Sequence, residues 1–218
     1  MLLAEDVLLL ATDDASGRKL ARYTDLLVAG GLLSDLALAG SVRLTEPGES
    51  VRKNRVVGVP DAPWPADALL GEVLTVINGK PTWYPTLLVD RLSRKLVEHK
   101  PVDAVYERLA HAELVSRTPH RVLGLVPTTR WTSVDGRREA ALREQFDAVL
   151  LFDAAPDPHV AALIALLAGA GLLAPVVDRG RGLDRRAIKR QGKLLLSQYW
   201  TAEAMQRAFQ ARDSAAAG

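Results

Sequence analysis

The longest apolar segment of the chain constrains the fold most. Residues 160–177 contain no charged or polar side chain. The length of this segment is at the lower limit for a helix that crosses a bilayer. Two glycines and Pro175 interrupt the segment near its end. Asp157 and Pro158 precede it in the pattern of an N-cap followed by a first helical residue. We therefore expect a helix from Pro158 to about Leu173, buried on all sides in a soluble domain.

The rest of the chain has the composition of a helical protein. Ala and Leu dominate, with only three Phe and four Tyr among 218 residues, which favours helices over sheets. Apolar periodicity and capping residues predict further helices. These are expected at about 5–11, 25–39, 65–77, 85–99, 103–115, 135–151 and 201–212.

Two β-hairpins are expected beside these helices. The first spans residues 42–59, and the second spans 121–134 with its turn at 127–129. No low-complexity linker divides the sequence. We therefore expect a mainly α fold, with one compact helical domain at 1–213 around a buried helix bundle and one or two peripheral β-hairpins. Residues 214–218 are expected to form a disordered tail.

Several kinds of chemistry are excluded by the residues themselves. The chain has no cysteine, which excludes disulfides, thiolate metal sites and a cysteine nucleophile. Nucleotide-binding glycine motifs and the Gly-x-Ser-x-Gly elbow are absent, and the four histidines do not fall at metal-ligand spacing. The paired acids are explained by turns and helix caps. No catalytic residue, metal or cofactor is predicted, and we expect the protein not to be an enzyme.

Basic residues are locally concentrated although the formal net charge is only +2. Such clusters are ordinarily solvated helix faces, but they can also bind anions. The clusters are Arg18, Lys19 and Arg22; Arg91, Arg94 and Lys95; and residues 178–193, which hold seven bases and two acids.

A basic hairpin after a helix is also how winged-helix proteins contact DNA. Here the helix at 26–38 has almost no polar side chain besides Ser34 and Asp35, whereas a recognition helix needs exposed donors to read base edges. A nucleic-acid partner is therefore not expected.

A series of motifs along nearly the whole chain resembles a known family. The motifs are Leu3-Ala-Glu-Asp-Val-Leu-Leu-Leu10, an Asp-Asp-x-x-Gly turn, Gly30-Gly-Leu-Leu-Ser-Asp-Leu-Ala-Leu-Ala-Gly40 with Val42-Arg-Leu44, Val105-Tyr-Glu-Arg-Leu-Ala110 before a Val-Leu-Gly-Leu hairpin, and Asp157-Pro-His-Val-Ala-Ala-Leu-Ile-Ala-Leu-Leu167. In this order they resemble the Golgi phosphoprotein 3 family. The Ala-, Arg- and Leu-rich composition suggests a bacterial member.

The resemblance implies a compact helical domain with an exposed hairpin used in self-association. It also implies peripheral membrane binding through a pocket for phosphatidylinositol 4-phosphate, and an adaptor role that holds glycosyltransferases at the Golgi. The family pocket uses one Trp and three Arg. By ungapped alignment those positions are Leu20, Ala29, Asp103 and Tyr106 here.

Two functions are therefore expected as alternatives. The first is a non-enzymatic peripheral membrane module that binds anionic phospholipid headgroups through replacement bases near the pocket: Arg18, Lys19, Arg22, Arg91, Arg94 and Lys95. The second is a protein–protein adaptor without lipid binding, which would hold a protein client through the hairpin around Trp131 or through the basic segment 178–193.

Self-association and location complete these expectations. We expect any homo-oligomer to form through the 121–134 hairpin, with Trp131 as an exposed aromatic anchor. The first residues carry acids where a signal peptide needs bases. A cytoplasmic location, or a peripheral one on the inner face of the membrane, is expected.

Overall fold

The computed structural model describes residues 1–13, 17–96, 99–122 and 126–218, with the backbone alone at 120–122 and 126–128. Within these ranges the chain forms ten helices and two antiparallel hairpins. The helices are α1 (Leu3–Leu10), α2 (Thr24–Leu38), α3 (Ala68–Asn78), α4 (Pro85–Ser93), α5 (Pro101–His111), α6 (Arg137–Phe152), α7 (Pro158–Gly169), α8 (Leu173–Asp178), α9 (Arg185–Leu196) and α10 (Trp200–Ala217). The hairpins are β1 (Val42–Leu44) with β2 (Val56–Gly58), and β3 (Val115–Val122) with β4 (Val126–Ser133). The predicted mainly α fold with peripheral hairpins is confirmed.

Helix α2 lies at the centre of the core, packed against α1, α4, α5, α7 and α10. Two adjacent glycines allow this crowding. A Cβ added at Gly31 would lie 2.7 Å from Cα of Ala4 in α1, and one at Gly30 would lie 2.8 Å from Sδ of Met205 in α10. Both contacts are shorter than a real Cβ tolerates, so larger side chains would push the helices apart.

The apolar segment 160–177 is buried, as predicted, but it forms two helices. The Asp157 carboxylate accepts hydrogen bonds from the backbone N–H groups of His159 (2.8 Å) and Val160 (3.0 Å), which begins α7. The chain then turns at Gly171, whose φ is +72°, and α8 begins at Leu173. Among the helices described, none is long and apolar enough to span a membrane.

A buried carboxylate joins three helices of the bundle. Asp6 of α1 is fully buried and accepts hydrogen bonds from Nε of Arg138 in α6 (2.8 Å) and from Nε2 of His159 in α7 (2.7 Å). Burial opposes ionisation of Asp6, but these hydrogen bonds outweigh it and hold its pKa below the ordinary value. The charged network therefore ties the first helix to the middle of the chain.

The sequence places several element boundaries wrongly. Helix α4 ends at Ser93, and Pro101 begins α5 instead of ending α4. Proline suits a first helical position because its fixed φ is helical and its missing N–H would be unpaired there in any case. Helix α10 continues to Ala217, so most of the residues assigned to a tail extend this helix.

The second hairpin begins six residues earlier than predicted. Its register pairs Val115 with Ser133 and Val122 with Val126, so residues 127–129 lie within β4 and not in the turn. A two-stranded sheet has two free edges, where a proline that cannot donate a hydrogen bond is accommodated. The residues between the strands lie outside the described part, as do residues 14–16 of the Asp-Asp-x-x-Gly turn.

Candidate anion-binding surfaces

The predicted base clusters that contain Arg22 and Arg94 are joined by one network of ion pairs. Arg22, before α2, donates to Asp213 of α10 (2.8 Å), and Arg94, after α4, donates to Asp90 (2.8 Å). Arg212 joins them, because it is next to Asp213 in α10 and also donates to Asp90 (3.0 Å). The ends of α2, α4 and α10 therefore gather these bases on one part of the surface.

The bases of this region differ in how free they are to bind an anion. Arg22 and Arg94 each neutralise an acid of the protein. Lys19, Arg91 and Lys95 have no carboxylate partner among the residues that the structure describes. An anion could bind these three without first breaking an ion pair. Arg18 is exposed beside Lys19.

Of the four positions aligned with the family's phosphoinositide pocket, Ala29 and Tyr106 are buried, whereas Leu20 and Asp103 are exposed. Ala29 is fully buried in α2. Tyr106 is 1% exposed, and its ring stacks on Trp131 with the centroids 5.1 Å apart and the planes at 3°. Burial raises the pKa of the Tyr106 hydroxyl, which lies 3.2 Å from the hydroxyl of Thr12 and stays neutral. No positive charge stands at either position.

The expectation that Trp131 is an exposed anchor is wrong. Its side chain is 9% exposed, because the stack on Tyr106 covers it. Among the hairpin residues whose side chains the structure describes, 116–119 and 129–130 are exposed. Self-association through the hairpin stays a prediction, but Trp131 supports the fold.

The most regular basic surface lies on α9. The Asp184 carboxylate accepts hydrogen bonds from the N–H groups of Arg186 (2.9 Å) and Ala187 (3.2 Å) and caps the helix. The bases of the helix recur at positions i, i+3, i+4 and i+7, which places them on one face. We call this set the basic stripe: Arg186, Lys189, Arg190 and Lys193.

The basic stripe is exposed and its charges are not compensated. All four side chains face solvent, and none has a carboxylate partner within the described ranges. Two other bases of the segment are neutralised: Arg181 pairs with Asp147 and Arg185 with Asp178, both at 2.7 Å. The neighbouring face of α9 is buried through Ile188, Gly192 and Leu196.

Counting charge along the sequence finds the basic segment but not the stripe. The spacing of 186, 189, 190 and 193 is itself a helical signal that could have shown one charged face. The pairing of Arg181 with Asp147 could not be read in this way, because the two residues are 34 positions apart.

A separate cleft of about 460 Å³ lies between the β1–β2 hairpin, α4 and the first turns of α10. The Arg55 guanidinium stacks over the Tyr84 ring, 3.5 Å from its centroid. Tyr84 and Leu87 are 52% and 60% exposed. The cleft is thus lined by aromatic, apolar and charged side chains, among them Glu203, which pairs with Arg207 (3.4 Å).

The fold and these surfaces define a mainly helical domain with exposed basic faces. The family model of Golgi phosphoprotein 3 (GPP34) matches residues 3–212. The chain therefore belongs to the Golgi phosphoprotein 3 family, as the motifs indicate. A search of curated proteins found no match. The family is not a known enzyme family, and membership is consistent with a lipid-binding or adaptor module.

Proposed function

We propose that this protein is a non-enzymatic peripheral membrane module that binds anionic lipid headgroups, with the basic stripe as its main contact. The observation that carries the proposal is that four exposed bases share one face of α9 and none is paired with a carboxylate in the described part of the chain. Family membership supports the same class of function.

The geometry of the stripe suits a flat anionic surface. Seven residues separate its ends, so the four charges extend over about 10 Å of helix. A base near an anionic membrane contributes about 1 kcal/mol, so the whole stripe contributes about 4 kcal/mol. The ligand is given as anionic headgroups in general and not as one phosphoinositide, because the positions aligned with the family's phosphoinositide pocket hold no base.

Lys19, Arg91 and Lys95 form a second contact in this proposal. They are the part of the predicted base set that is not paired with an acid among the described residues. Two of the remaining predicted bases, Arg22 and Arg94, would each have to leave a carboxylate before binding a headgroup.

Vesicle co-sedimentation with charge-reversal variants tests the proposal. The vesicles would contain phosphatidylcholine with or without phosphatidylserine. Arg186→Glu with Arg190→Glu should weaken binding to the anionic vesicles by about 2–4 kcal/mol, since two attractions become repulsions. The matched control, Arg52→Glu with Lys53→Glu in the β1–β2 loop, changes the net charge equally and should retain most of the binding.

A third pair, Lys19→Glu with Lys95→Glu, measures the second contact. Equal weakening by the stripe pair and by the loop control would contradict a specific role for the stripe.

A protein client is the second candidate function, and the cleft beside Tyr84 favours it. Exposed aromatic and arginine side chains are common anchors of protein interfaces. Wild-type protein that does not sediment with anionic vesicles even at low salt would contradict lipid binding and favour the adaptor function.

A further inference from the structure

An apolar cleft opens directly beside the basic stripe. It has a volume of about 270 Å³ and lies between the end of α7, α8, α9 and α10. Apolar or small residues form its walls: Ala168, Gly171, Leu173, Ala174 and Leu196. Three polar side chains also line it, Lys189 and Lys193 of the stripe and Gln206 of α10.

Small residues keep α9 close to α7 and α8 while leaving this space beside them. A Cβ added at Gly192 would overlap Cδ2 of Leu173 and would lie 3.1 Å from Cβ of Ala168. At Gly192 the backbone of α9 therefore lies directly against the side chains of Leu173 in α8 and Ala168 in α7. The short side chains of Ala168 and Ala174 line the cleft and leave it open.

We infer that this cleft accepts part of one acyl chain of an anionic membrane lipid whose headgroup is bound by Lys189 and Lys193. The inference rests on the proposed function, because it requires the stripe to face the membrane. In this arrangement part of one acyl chain leaves the bilayer and enters the cleft, in addition to the binding of the headgroup by the stripe.

Charge complementarity and the lining chemistry identify this occupant. Two ammonium groups without carboxylate partners in the described part attract an anion, and the apolar walls favour hydrocarbon. A free inorganic anion would leave the apolar walls unused. A peptide would bury backbone N–H and C=O groups that need partners, and Gln206 is the one uncharged polar side chain among the lining residues.

Binding of alkyl phosphates of increasing chain length tests the cleft directly. Inorganic phosphate, butyl, hexyl and octyl phosphate would be titrated below their micelle concentrations and followed by calorimetry. Each buried CH₂ group should raise the affinity about fourfold, until the chain fills the cleft. The same affinity for inorganic phosphate and for octyl phosphate would overturn the inference.

Two matched double substitutions in α9 distinguish binding in the cleft from binding by the basic stripe as a whole. Lys189→Gln with Lys193→Gln should lower octyl phosphate affinity about tenfold or more. Arg186→Gln with Arg190→Gln removes the same charge, but neither of these arginines is among the residues that line the cleft. It should change octyl phosphate affinity less than about threefold while weakening vesicle binding. Equal effects of the two pairs on octyl phosphate would count against the cleft.

Filling the cleft gives an independent test. Ala168→Leu adds methyl groups at its wall and should reduce the gain in affinity per CH₂, and thermal unfolding would verify that the variant is folded. Wild-type protein that binds anionic vesicles through the stripe but shows no chain-length dependence would refute the cleft inference alone. Absence of vesicle binding would refute the proposed function as well.

Discussion

Single carboxylates in the core have opposite ionisation preferences. Asp6 is held ionised by Arg138 and His159. Burial instead raises the pKa of Asp35 to about 6, although it accepts hydrogen bonds from the N–H groups of Leu3 (2.9 Å) and Ala4 (3.5 Å). Burial thus prevails over two backbone donors at Asp35, whereas the hydrogen bonds from His159 and from the Arg138 guanidinium prevail over burial at Asp6.

The Asp35→Asn variant tests this difference through the pH dependence of stability. Between about pH 4 and 6 the unfolded state loses the Asp35 proton before the folded state does, so ionisation of Asp35 destabilises the wild type as the pH rises. Asparagine keeps an oxygen acceptor and does not titrate. Relative to the wild type, the variant should therefore be more stable at pH 7 than at pH 4 by on the order of 1–3 kcal/mol.

Chemical unfolding of both proteins at the two pH values measures this change. The Asp6 pKa is lowered, so its effect falls in a more acidic window and is shared by both proteins. A stability difference that is independent of pH would show that ionisation of Asp35 does not destabilise the folded protein.

At the scale of elements, local signals predict where helices begin and non-local contacts decide the rest. The Asp157 cap of α7 is visible in two consecutive residues, Asp157 and Pro158, and it is confirmed. The burial of Trp131 depends on Tyr106, 25 positions away, and the pairing of Arg22 depends on Asp213, 191 positions away. No local pattern carries that information, so the sequence identified basic clusters but not which charges remain unpaired.

The hairpin provides a test of what Trp131 does. Since Trp131 is buried against Tyr106, Trp131→Ala should lower the free energy of unfolding by about 3–5 kcal/mol. Thr129→Ala, at an exposed position of the same strand, should change it by less than about 0.5 kcal/mol. Denaturant unfolding compares them. If Trp131→Ala altered the sedimenting species without loss of stability, Trp131 would be an interface residue after all.

At the scale of the whole molecule, charge distribution matters more than net charge. The formal net charge is +2, yet residues 178–193 hold seven bases against two acids. The rest of the chain is therefore net acidic, and the excess of positive charge is concentrated in this one segment. If the protein binds anionic membranes as proposed, the local excess of bases should orient it with the basic stripe toward the surface. Binding should weaken with salt, since exposed charges are screened beyond about 10 Å at 0.1 M.

In the proposed orientation the basic stripe contacts the anionic membrane, and a site-specific fluorescent label reports this contact. The chain has no cysteine, so one introduced cysteine carries an environment-sensitive fluorophore at a single site. Ser197→Cys lies one turn beyond Lys193, and Ser50→Cys, in the β1–β2 loop, is the control; both positions are exposed. On adding vesicles that contain phosphatidylserine, the label at 197 should show a blue shift that salt reverses, while the label at 50 should not change. A blue shift at 50 without one at 197 would contradict the proposed orientation.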